Sequence, residues 1–181
     1  MTESDDIAPL SGTVARCLLV SVALCLLWAG SAWTAGHVQA DASLHTAALF
    51  GHLVSLVVGF GAVLAVDYLG VLWLLGRRTL AQVVESTAPL HVPVWAGLAG
   101  LTLSGILLEP HLDSRLTQVK LLLVLMIALN GVHATALARR LEAGGAGRPK
   151  RRLLLRGALS ALVSQLGWWG ALAIGFWNTQ H

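Results

Sequence analysis

The chain alternates long apolar runs with short polar connections. Five runs, residues 17–36, 47–75, 92–108, 119–138 and 153–176, come near the length of about 20 residues that an α-helix needs to cross a bilayer. The pattern predicts an all-α integral membrane bundle of five transmembrane helices. Residues 17–178 would form one domain, with a leader at 1–16, a basic loop at 139–152 and a short tail at 179–181. The second run exceeds what a bilayer requires, so its helix is expected to tilt or to project beyond the surface.

Composition sharpens this reading. Hydrophobic residues make up 56% of the chain, charged residues 12%, and mean hydropathy is +0.73. Soluble domains carry about 25% charged residues, so a soluble globular class is excluded. The first run is followed by AGSAWTAG, which has the small-residue character of a signal-peptidase site. The leader MTESDDIAPLSGTVAR, however, is long and acidic, and the run is long enough to span, so a retained helix is expected. Cys17 and Cys25 both lie in this run, about 12 Å apart along a helix. That separation is too great for a mutual disulfide.

The connections alternate in charge. Arg77 and Arg78 follow the second run, and Arg139, Arg140, Arg148, Lys150, Arg151 and Arg152 follow the fourth. HVQADASLH and EPHLDSR are nearly free of positive charge. The positive-inside rule then sets the N-terminus in the cytoplasm and the C-terminus outside, with the bacterial inner membrane as the expected location. The net charge of +3 comes from these loops. Topology accounts for it without nucleic acid, and the basic 139–152 loop is suited to touch anionic lipid.

Against this background the polar residues inside the runs stand out, because ionisable groups in hydrocarbon are costly and face protein or a cavity. In the second run His45 and His52 are seven residues apart and project about 20° from each other. Gly59, Asp67 and Gly70 continue the same stripe. Its glycines permit close approach of another helix or of a flat cofactor. Asp67 needs a partner or a proton, with His133 and Asn130, or Arg77 and Arg78, as candidates. It would serve as a structural hydrogen-bonding group or as a proton-relay or cofactor-supporting one. The third run is rich in small residues (Gly97, Gly100, Ser104, Gly105) and opens with Pro93 in its first turn, where a missing N–H costs nothing.

Depth sorts the polar residues into two clusters. His45, His52, Glu109, His111 and Lys120 belong to the outer half, and Asp67, His91, Asn130 and His133 to the inner half; His37 and His181 lie at the outer surface. Imidazoles on neighbouring helices, with apolar walls between them, match a b-type haem. His91 and His133 are candidates for an inner haem, and His52 with His45 or His111 for an outer one. Lys120, Arg77 and Arg78 suit the propionates. Copper is the rival cofactor, but Cu(I) prefers sulfur and the chain has two methionines and two cysteines. A third reading is a structural or assembly subunit whose histidines are interfacial.

The segment LTLSGILLEPHLDSRLTQVKLLLVLMIALNGVHATALARR resembles the paired helices of copper-resistance D-like membrane proteins. The matching positions are Thr102, Ser104, Gly105, Lys120 and Asn130. The lysine-led helix also resembles that of HemJ-type protoporphyrinogen oxidases, small haem-binding membrane proteins. The second run, with GFGAVLAVD, resembles related bacterial membrane families. The resemblance covers about half the chain and implies a haem- or copper-linked role. The expectation is thus a membrane-embedded haem protein of electron transfer or redox support, an oxidoreductase or electron-transfer component. It would work with a redox partner or quinone, with a homo-oligomer open, and copper handling is the alternative.

Overall fold

The computed structural model describes residues 7–143 and 151–178. Residues 1–6 of the leader, 144–150 of the basic loop and the tail 179–181, with His181, lie outside them. The described residues are helical and contain no strand. Helix α1 covers Ile7–Ala35, α2 Ala42–Leu74, α3 Leu80–Thr87, α4 His91–Leu107, α5 Arg115–Ala143 and α6 Arg151–Asn178. A single 3₁₀ turn, Ala88–Leu90, joins α3 to α4. Five segments are long and apolar enough to cross a membrane, counting Leu80–Leu107 as one. This is a multi-pass membrane protein.

Helix ends follow local chemistry. Asp41 caps α2, its carboxylate accepting from the Leu44 amide at 2.7 Å, so the helix begins five residues before the apolar run does. At its other end Gly76 adopts φ +69°. The Gly76 amide donates to the Trp73 carbonyl and the Arg77 amide to that of Leu72, a Schellman stop that needs a residue tolerant of the left-handed region. Helix α2 has 33 residues, about 50 Å at 1.5 Å per residue, so it outreaches the ~30 Å hydrocarbon layer. The chain next starts α3 with a capping box, Thr79 and Gln82 satisfying each other's backbone amides. The hydrophobic run alone did not announce this short helix, because its last turn, Glu85, Ser86 and Thr87, is polar and separates it from the run that follows. Pro93 lies in the first turn of α4, as expected.

The five spans pack as a bundle in which α4 lies against α2 and α1, α5 lies against α6 and α1, and α6 meets α2 through the Phe60–Trp168 and Asp67–Gln165 pairs. Successive spans run antiparallel, so the Arg-bearing connections gather at one end, called here the basic end. At the opposite end Glu109, with φ 46°, accepts from the Ala40 amide at 2.8 Å and ties the two connections together. The core is Phe60, Val63, Leu98, Ile127, Ala128 and Trp168. Small residues let the helices meet, while large apolar ones face outward: Phe50 is 71% and Val57 73% exposed. That arrangement suits lipid rather than water as the surrounding solvent.

Candidate functional site

The α2–α4 crossing sets the geometry of the site. Gly59 and Gly97 pack backbone to backbone, and the Ser55 side chain fits against Gly100. In antiparallel register this contact carries His52 to the level of Ser104. His52 Nδ1 lies 2.9 Å from Ser104 Oγ. The Ser104 hydroxyl has one proton, and it points to the Gly100 carbonyl at 2.5 Å. The ring therefore donates through Nδ1–H, and the neutral imidazole keeps its lone pair on Nε2. A hydrogen bond of this kind fixes the tautomer and orientation of an imidazole that binds metal.

Lys120 joins from α5. It is half-buried and lies within electrostatic range of His52. Gly105 stands beside the His52 ring and Gly175 beside the Lys120 ammonium; a Cβ on either would lie 3.8 Å from these groups. Four helices thus converge on an imidazole and an amine in the half of the bundle away from the basic end. Nearer the centre, Trp168 is 2% exposed, and its indole N–H finds no acceptor among the described residues. A buried donor without a partner is costly.

Asp67 has a different partner from those expected. Gln165 of α6 donates through Nε2 to its carboxylate, and Gln165 Oε1 accepts from Trp169 Nε1 at 2.8 Å. The α2–α6 contact, led by the Phe60–Trp168 stack, brings Gln165 opposite Asp67. The candidates from sequence are engaged elsewhere. Asn130 donates to the Ser160 carbonyl and accepts from its hydroxyl, at 2.8 and 2.9 Å, and Arg78 donates to Ser86 at 3.1 Å. Arg77 is exposed beyond the end of α2.

The remaining histidines are not drawn into one site. His45 and His111 are exposed at the end opposite the basic loops. His37 stacks on Trp33 with ring centroids 4.3 Å apart. His91 is half-buried at the start of α4. Trp95, one turn on, faces Gly131 of α5. His133, two residues past Gly131, turns about 200° away and lines hollows with α1 and α6 instead. His91 and His133 therefore do not face a common space. Among the described residues no three His, Cys, Asp or Glu side chains converge as a metal site.

Sequence reasoning missed two residues here: Ser104 as the partner of His52, and Gln165 as the partner of Asp67. The first was within reach, since pairing the glycines of α2 and α4 in antiparallel register sets His52 against Ser104. For the second, the sequence shows Gln165 as a polar residue at mid-depth in the fifth run, but nothing in it pairs that residue with Asp67. No family model, curated protein or solved structure matches this chain.

Proposed function

We propose that this is a membrane-embedded haem protein of the b type, acting in electron transfer or redox support in a bacterial inner membrane, with the basic end in the cytoplasm. The observation that carries the reading is the oriented His52, held at Nδ1 by Ser104, which leaves Nε2 as the ligating nitrogen. The donor set fits a haem with one imidazole ligand from His52; among the described residues it offers no second imidazole beside it. Lys120 supplies a cation for a propionate, and Gly105 and Gly175 keep the space next to both groups small-walled. When bound, a haem supplies a one-electron couple. The protein's own part is to orient the imidazole, balance the propionate charge and keep water away from the site. Copper handling finds less support, because an imidazole-rich copper site would need a convergence of donors that the described residues lack.

The test is the optical spectrum of protein purified from haem-supplied cells, oxidised and then reduced with dithionite. A Soret band with sharp reduced α and β bands is expected, lost in His52→Ala and retained in His133→Ala. A wild-type protein free of haem absorbance, or a His52→Ala variant that keeps it in full, rejects the proposal.

A further inference from the structure

A groove at the basic end lies apart from this site. It runs between α1, α5 and α6, encloses about 460 Å³, and is lined by Arg140 and Arg156 together with His133. Its walls are otherwise mainly apolar, with Leu18, Leu129 and Leu137 prominent. A second hollow of about 180 Å³ adjoins it, shares His133 and Arg156, and continues along Leu159 and Val163 beside the Asn130–Ser160 pair. The two hollows make a two-lobed cleft headed by guanidinium groups. No carboxylate among the described residues lines either lobe.

Helix register explains the arrangement. In the antiparallel α5–α6 pair, Asn130 meets Ser160 and Thr117 meets Asn178, so the end of α5 lies beside the start of α6 and Arg140 and Arg156 line one groove. His133 lies seven residues deeper than Arg140, about 10 Å along the axis. Two cations at the basic end, a polar ring beside them and an apolar wall of leucines form the complement of an anionic amphiphile. From this charge complementarity we infer that the cleft binds one acidic phospholipid, its phosphate held by Arg140 and Arg156 and an acyl chain lying along Leu18, Leu129 and Leu137. Guanidinium suits the phosphate because its fork donates two parallel hydrogen bonds. Basic pockets between helices at a membrane face are suited to such headgroups.

The test uses the full chain purified in detergent and titrated with phosphatidylglycerol or phosphatidylcholine, bound lipid being counted by native mass spectrometry. Wild-type protein should prefer phosphatidylglycerol by roughly thirtyfold, the effect of two arginines near a surface. Arg140→Gln with Arg156→Gln should abolish that preference. Arg151→Gln with Arg152→Gln, at the same end but outside the lining, should preserve it. Leu18→Trp keeps both charges, lies on an exposed position (62%) and narrows the cleft, so it should weaken phosphatidylglycerol binding; it carries the test if the arginine pair variant does not fold. Equal binding of the two lipids by wild type overturns the inference. So does a loss in Arg151→Gln/Arg152→Gln equal to that in the groove variant, which would mean diffuse attraction to the basic end. Displacement of the lipid by free glycerol phosphate would show a site that reads phosphate alone, and likewise overturns it.

Discussion

Gly59 and Gly97 meet backbone to backbone where α2 crosses α4: a Cβ on Gly59 would lie 3.1 Å from the Gly97 Cα, and one on Gly97 would overlap Gly59 and the Ser55 carbonyl. The contact involves main chain on both sides, so no side-chain rotation relieves it. Everything above and below it, including the His52–Ser104 pair, depends on the two helices lying this close.

Gly97→Ala should therefore destabilise the protein by about 1–3 kcal/mol, the usual cost of overpacking. Gly61→Ala, on the same helix as Gly59 but with open space around its Cβ position, should stay within about 0.5 kcal/mol of wild type. Thermal unfolding in detergent distinguishes them. Equal stability of the two variants would mean that the helices are farther apart than described.

Ser104→Ala leaves His52 in position but removes its Nδ1 acceptor. If His52 ligates haem, affinity should fall by about tenfold, as for other groups that orient a ligand. Thr102→Ala is the matched control, since its hydroxyl bonds only to its own helix, at the Leu98 carbonyl 2.9 Å away. Haem titration of the apoprotein reads both, and equal affinities would remove Ser104 from the site.

Gln165→Leu strands the Asp67 carboxyl inside the bundle and should cost about 1–3 kcal/mol, the penalty of an unsatisfied buried group. Adding Asp67→Leu should recover most of the loss, because replacing both partners by apolar groups is close to neutral. A double variant no more stable than Gln165→Leu alone would show that Asp67 has a further role in stability.

Asn130→Leu breaks both hydrogen bonds to Ser160 and should lower stability by about 1 kcal/mol, within the range for polar contacts between membrane helices. Haem content should be unchanged, since Asn130 faces α6 rather than His52. Loss of absorbance at retained stability would contradict that assignment.

Asp41 offers a pH test outside the membrane. Hydrogen bonds from the Leu44 amide and the Ser43 hydroxyl hold its carboxyl below the ordinary value of 3.8. A lowered pKa means that the ionised form is favoured on folding. Its stabilising effect is thus present above the ordinary value and is lost as pH falls through the folded one. Asp41→Asn keeps a capping oxygen but cannot titrate, so its thermal midpoint should vary less with pH below about 4. Identical acid limbs in the two proteins would show that the cap does not report on folding.

The spans, the gathering of arginines at alternate connections and the stripe of His45, His52, Gly59, Asp67 and Gly70 were all legible in the sequence. Hydrophobic length and helical period are local properties, and a bilayer leaves the backbone little choice but to satisfy itself within each helix. What the stripe faces is a different kind of question. Gly59 and Asp67 share a face, yet Gly59 lies between Gly97 of α4 and Trp168 of α6, whereas Asp67 is paired with Gln165 of α6. Asp67 is paired with Gln165 rather than His133 because α2 touches α6 in its second half. His91 and His133 part because Trp95 occupies the face of α5 centred on Gly131. Helix length follows from residue order alone, whereas partner choice depends on how five surfaces of similar apolar character interlock. Close glycine contacts and a few hydrogen bonds decide that packing, and only the tertiary structure reveals it.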